Sequence, residues 1–197
     1  MKNIIISGTP GTGKTTVSNH LGNLISAQVI SLNELIIDKK YIVEYDDKRD
    51  TYVIDEARLL KNLEAIINGY RKTSNEYLII EGHFSDIIPE DLIDYVIILR
   101  CHPDELYNRL KKRGYKKIKI MENIQSEILG NCVNYFIEKK LDLPLYEIDT
   151  TKSEIKEIVK VIIDIINDNL DMSIFRVGKI DWLENLSNTN RLDEFFM

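Results

Sequence analysis

Two kinds of hydrophobic pattern alternate along this chain. Short apolar runs without strict polar–apolar alternation predict strands at 3–7, 28–31, 77–80, 95–99 and 143–148, each buried on both faces. Between them, apolar residues recur at three- and four-residue spacing and predict helices. One covers 14–25, directly after the first strand. Another covers 56–71, with Leu59, Leu60, Leu63, Ile66, Ile67 and Tyr70 on one face, and a last one covers 153–169 through Ile155, Ile158, Val159, Ile162 and Ile166. Pro103 opens a helix that runs to about Arg113, ahead of Gly114, and a single further helix is expected over 118–139. Strands and helices in this rhythm imply an α/β fold, a three-layer sandwich with a parallel sheet between helices. The pattern fades after Leu170. A domain over 1–170 is therefore followed by a tail over 171–197, which either docks onto it through Phe175, Trp182, Leu183, Leu186, Phe195 and Phe196 or serves a partner.

Composition narrows the class. A chain of 197 residues suits one domain, and 26 basic against 32 acidic residues give a net charge of −6, which argues against coating nucleic acid by bulk electrostatics. No apolar run approaches the ~20 residues of a membrane span, and residues 1–6 are too short for a signal-peptide core. Cys101 and Cys132 stand far apart and form no CxxC. They read as buried free thiols of a reducing, cytoplasmic setting.

The most specific motif is Gly8-Thr9-Pro10-Gly11-Thr12-Gly13-Lys14-Thr15-Thr16, a GxxxxGK[ST] run between a predicted strand and a predicted helix. Glycines let main-chain N–H groups converge on phosphate oxygens, and the helix N-terminus adds partial positive charge. Lys14 then reaches the β- and γ-phosphates, and the Thr15 hydroxyl ligates Mg²⁺. The chain is expected to bind a nucleoside triphosphate. It has no NKxD or DxxG signature of a GTPase, and it is short for a large mechanical ATPase. A small kinase remains, in which a basic lid closes over the phosphates. Arg100, Arg109, Lys111, Lys112, Arg113, Lys116, Lys117 and Lys119 face only Asp104 and Glu105 in that stretch, which is +6 and leaves −12 for the remainder. These residues read as that lid, hinged at Gly114, or as a solvated helix face that meets RNA or nothing.

Glu81 falls at the C-terminal end of a buried strand, the ligand-binding edge of an open α/β sheet. It either holds Mg²⁺ or caps a nearby helix. His83, two positions on, is either a packed residue or one that orients or deprotonates an attacking water. Arg58, one helical turn beyond Asp55, is a candidate for the acceptor phosphate, with a surface salt bridge as the alternative.

Over about residues 3–150 these motifs resemble the adenylate kinase isoenzyme six family, whose archaeal members carry the label adenylate kinase. The resemblance rests on residues 8–16, on Tyr45-Asp46-Asp47 with Asp50 and residues 55–58, and on Glu81-x-His83. It continues through Arg113-Gly114-Tyr115 to Asn123-Ile124-Gln125 and Glu127-Ile128. The family usually writes its third-strand motif Asp-x-His, so Glu81 departs from it by one methylene while keeping the charge. The resemblance implies a broad-specificity nucleoside monophosphate kinase with ATPase activity, built on the phosphate-loop kinase fold. It further implies a part in late small-subunit ribosome (16S rRNA) maturation, through transient binding of small-subunit ribosomal protein eleven on the pre-ribosomal particle. By the same resemblance Gly11, Gly13, Lys14, Thr15, Thr16 and Arg113 bind ATP. Residues 31–54, with Asp46, form the monophosphate-binding segment, residues 112–122 form the lid, and His83 serves hydrolysis. A kinase of another small acceptor with no ribosomal role is the alternative.

Overall fold

The computed structural model describes residues 1–38, 41–46, 51–169 and 172–196. β1 (Lys2–Ser7) leads through the glycine-rich turn into α1 (Lys14–Ile25), followed by β2 (Gln28–Ser31) and α2 (Leu32–Asp38). β3 (Ile42–Asp46) and β4 (Thr51–Ile54) pair antiparallel as a separate two-stranded sheet. Next come α3 (Glu56–Tyr70), β5 (Tyr77–Glu81), β6 (Tyr95–Arg100), α4 (Pro103–Lys112), α5 (Lys117–Ile128) and α6 (Asn131–Glu138). β7 (Leu145–Asp149) and α7 (Ile155–Ile166) complete the sandwich, and α8 (Trp182–Asn188) and α9 (Asp193–Phe196) form the tail.

The main sheet is parallel, in the order β2-β5-β1-β6-β7. Its inner strands β5, β1 and β6 show no polar–apolar alternation because both faces are covered, whereas the edge strand β2, expected to be buried on both faces, has Gln28 exposed and only Ile30 buried. Ile5, Leu78, Ile80, Val96 and Ile98 pack towards α3 and α6, with Leu63, Ile67, Val133 and Phe136. Their neighbours Ile4, Ile6, Ile79, Ile97 and Leu99 pack the other way, towards Val17 and Leu21 of α1 and Ile158, Val159 and Ile162 of α7. Each such side chain contributes about 1.5–3 kcal/mol on burial. The three-layer α/β/α sandwich expected from the sequence is the fold observed.

Three local features differ from expectation. The helix foreseen over 118–139 is two helices, because Gly130 takes a left-handed conformation (φ 65°) that turns the chain between α5 and α6. α2 is seven residues long, too short to display a helical period. The β3–β4 hairpin leaves Val43, Tyr45, Tyr52 and Val53 exposed, so no burial pattern announces it.

The tail docks. Leu186 and Phe195 are buried with Leu106, Leu110, Ile120 and Ile124 in a third cluster, and Trp182 packs against it. Phe175 packs on the α1–α7 side, whereas Leu183 and Phe196 stay exposed. Both cysteines are buried free thiols, and burial pushes Cys101 up to about 12 and Cys132 up to about 11. Among the described residues no helix is long and apolar enough to cross a membrane.

Candidate active site

The loop between β1 and α1 closes on itself at one residue. The Thr9 carbonyl accepts from Thr12 N at 3.2 Å, from Thr12 Oγ1 at 2.9 Å and from Lys14 Nζ at 3.1 Å. Lys14 Nζ also donates to the Gly8 carbonyl at 2.7 Å. Lys14 is 7% exposed, and burial lowers its pKa, so its ammonium gains from an arriving oxyanion. Gly8 (φ +140°) and Gly11 (φ +99°) cannot be replaced freely: a Cβ at Gly8 would lie 2.4 Å from the Leu99 carbonyl oxygen, and one at Gly11 2.7 Å from Leu106 Cδ1.

β5 lies beside β1, with Glu81 opposite Ile6, and so brings its last residue to the loop. Glu81 is 2% exposed. Its Oε1 accepts from Thr15 Oγ1 at 3.1 Å, while its Oε2 is buried with no hydrogen-bond partner. A buried carboxylate oxygen left orphaned next to a threonine hydroxyl is the donor set Mg²⁺ uses when phosphates complete its shell. The residues therefore fit that metal.

Gly11, Gly13, Lys14, Thr15, Thr16, Glu81, His83 and Arg113 all line one cleft of about 420 Å³. His83 is exposed to this cleft yet hemmed in by protein. Desolvation, helped by the positive charges of Lys14 and Lys119, lowers its pKa from 6.5 to about 4, so its imidazole is neutral at pH 7. A second lobe of about 220 Å³ shares Gly11, Gly13, Thr16 and Arg113 with the first and adds Arg109, Thr150 and Ile155. Arg109 shapes this lobe by donating to the Thr150 carbonyl at 2.7 Å and the Thr151 carbonyl at 3.2 Å.

Arg58 and Asp46 do not line either lobe. Arg58 lies over the Tyr41 ring, 5.7 Å from its centroid, and Asp46 ends β3 opposite Thr51. Within the segment assigned to the monophosphate, residues 39, 40 and 47–50, including Asp47 and Asp50 of the resemblance, lie outside the described residues. The basic stretch also divides. Arg100, 4% exposed at its side chain, is not part of a lid: it is buried in ion pairs with Glu127 and Glu147. Arg109 is occupied at Thr150, whereas Arg113, Lys116 and Lys117 stay exposed at the turn joining α4 to α5. Residues 112–122 comprise the end of α4, that turn and the first half of α5.

Three further liners of the cleft fall within the motifs and segments of the resemblance without an individual role there: Asn33 of α2, Tyr115 of the turn and Asn123 of α5. Asn123 and Glu127 carried a signal, being polar residues on the apolar stripe of Ile120, Ile124 and Ile128. Asn33 carried only its place within residues 31–54, since a seven-residue helix shows no period to single it out.

Residues 4–130 match the family described as AAA domain (AAA_18). A protein of Methanocaldococcus jannaschii named "Putative adenylate kinase" is 39% identical over 181 residues, covering 92% of this chain and 93% of that protein. The chain belongs to this family. Among solved structures, a shikimate kinase of Acinetobacter baumannii in complex with shikimate aligns with a TM-score of 0.60 at 15% identity, over 86% of this chain and 94% of the other. A deoxyadenosine kinase of M. mycoides with dCMP and dCDP bound aligns at 0.55 and 16%, over 84% and 99%. The family and these likenesses give the chain the phosphate-loop kinase fold.

Proposed function

We propose that this family member is a cytoplasmic nucleoside monophosphate kinase of the isoenzyme six type, transferring the γ-phosphoryl of ATP to AMP or a related monophosphate. The observation that carries the reading is the convergence of Lys14, Thr15, Glu81 and Arg113 on one cleft. Phosphoryl transfer asks for alignment and charge neutralisation rather than covalent help. The loop amides and Lys14 hold the phosphates, and Arg113 approaches them from the lid at 112–122. Thr15 and Glu81 would hold Mg²⁺, which supplies positive charge to the phosphate oxygens when bound. The second lobe, where Val17, Ile155 and Ile158 stand beside Arg109 and Thr150, takes the nucleobase of ATP in this reading. The acceptor enters on the Asn33–Asn123 side, between the lid and the segment over 31–54 that includes Asp46. Arg58 meets it only if that segment closes.

The same site hydrolyses ATP when water replaces the acceptor, with the neutral imidazole of His83 orienting it. In this reading the domain over 1–170 also serves small-subunit maturation. The −12 charge outside the basic stretch would attract a basic partner, small-subunit ribosomal protein eleven, transiently on the pre-ribosomal particle.

Labelled ATP offered to AMP, GMP, CMP, UMP, a nucleoside and shikimate tests the kinase assignment. Transfer is expected to monophosphates, AMP among them, and transfer only to the last two overturns it. Pull-down of small-subunit ribosomal proteins with ATP and with ADP tests the switch. One basic protein is expected in a nucleotide-dependent manner, and equal recovery in both states overturns it.

A further inference from the structure

The tail carries the chain's one tryptophan, Trp182, and its indole Nε1 donates to Glu127 Oε1 at 3.2 Å. Glu127 is itself 1% exposed, and both of its oxygens are engaged. Oε1 also accepts from Arg100 Nε at 2.8 Å and from Cys101 N at 3.0 Å. Oε2 accepts from Thr9 Oγ1 at 2.6 Å. Thr9 is the residue whose carbonyl gathers Thr12 and Lys14. Three hydrogen bonds thus run in sequence from the tail to the phosphate-binding lysine, joining Trp182, Glu127, Thr9 and Lys14.

The same tail holds the other end of Arg100. Arg100 pairs with Glu147, whose Oε2 accepts from Gly178 N at 2.8 Å, and Arg100 Nη1 reaches the Ile180 carbonyl at 3.3 Å. Two further anchors keep the segment seated. Arg191 donates to both oxygens of Asp104 on α4, at 2.8 and 2.9 Å, and Gln125 of α5 donates to the Phe195 carbonyl at 2.7 Å.

A loop rich in glycine has little rigidity of its own and must be held from outside if its amides are to stay aimed. The Thr9–Glu127 bond is a hold of this kind, charge-assisted and buried, where such bonds are strongest. We propose that the C-terminal segment is a positioning element of the ATP site, acting from Trp182 through the buried Arg100–Glu127 pair onto Thr9 and so onto Lys14. Glu127 and Trp182 are positioning residues in this scheme. The inference rests on the reading of the loop as the ATP site.

The test uses the full chain, with Mg-ADP calorimetry, phosphoryl-transfer kinetics and thermal melting. Thr9→Val is expected to weaken Mg-ADP roughly tenfold, and Trp182→Phe several-fold, well below their melting temperatures. KM for the monophosphate should not move, and Thr9→Ser should recover most of the loss. The double variant should be no worse than Thr9→Val, because both changes act through one carboxylate. Additive losses, or wild-type affinity in Trp182→Phe, overturn the proposal.

Wild-type protein supplies a check that needs no substitution. In this scheme a phosphate oxygen of Mg-ADP would compete with the Thr9 carbonyl for Lys14, so the emission of Trp182 should shift and saturate at the calorimetric Kd. Unchanged emission with calorimetric binding overturns the link. Lys14→Ala keeps the two readings apart. If it binds Mg-ADP as wild type does, the ATP-site reading fails, and this inference with it. If it is inactive while Thr9→Val and Trp182→Phe behave as wild type, only this inference fails.

Discussion

The hydroxyl of Thr15 donates to Glu81 Oε1 at 3.1 Å, and the second oxygen of Glu81 is buried without a partner. This is an arrangement one ligand short of satisfaction. Glu81→Gln keeps the shape and an acceptor for Thr15 but removes the charge a divalent cation needs. We expect transfer to fall on the order of 100-fold at fixed Mg²⁺, the scale of losing one well-placed electrostatic group. Half-saturation by Mg²⁺ should move up. A titration of initial rate against Mg²⁺ checks this, and an unchanged midpoint would remove Glu81 from the metal.

Lys14→Ala removes the cation that the loop keeps ready over the Gly8 and Thr9 carbonyls. Transfer and hydrolysis should both fall by at least about 3 kcal/mol of transition-state stabilisation. Steady-state turnover in both assays is the measurement. Equal ATPase turnover in variant and wild type would refute the site.

His83 carries two expectations. At pH 7 it is neutral, because desolvation, Lys14 and Lys119 lower its pKa to about 4. His83→Ala should therefore depress hydrolysis more than transfer to AMP, and equal losses would make it a structural residue. The folded protein binds fewer protons here than the unfolded chain between pH 6.5 and about 4. Stability should accordingly decline as pH falls through that window. Urea unfolding at pH 7 and pH 4.5 should show a smaller drop in His83→Ala than in wild type.

Gly8→Ala tests the loop's geometry. The new Cβ would sit 2.4 Å from the Leu99 carbonyl oxygen at a φ of +140°, and backbone cannot swing aside as a side chain can. A loss of about 2–4 kcal/mol in stability is expected, with nucleotide binding lost alongside. Urea unfolding and calorimetry measure the two effects. Gly114→Ala is the control. It has a left-handed φ of +77° but nothing within 4 Å of a Cβ, so it should cost only the conformational strain.

Chemistry carried by consecutive residues was legible without coordinates. The GxxxxGK[ST] run announces the loop's path, because the left-handed φ positions at Gly8, Gly11 and Gly13 and the Thr12–Thr9 turn lie within the nine residues from Gly8 to Thr16, whereas what holds that path steady from outside does not. The strands were legible for a related reason: a two-faced parallel sheet leaves an unbroken apolar run wherever it passes, and Glu81 stands at the end of one. Helix periodicity marked α1, α3 and α7 but missed the break at Gly130, since an apolar stripe continues on both sides of it.

Long-range partnership was decided only in three dimensions. Arg100 counts as a lid charge by proximity in the chain, yet packing sends it inward to two glutamates. Arg58 and Asp46 sit near the right motif and away from the cleft lobes. Thr9 and Glu127 lie 118 positions apart, and no periodicity links them. Their contact exists because the fold sets Glu127 of α5 beside both the loop after β1 and the end of β6, where it meets Thr9, Arg100 and Cys101. A local pattern encodes what neighbouring residues do to one another, whereas a buried polar pair is fixed by which surfaces the core brings together.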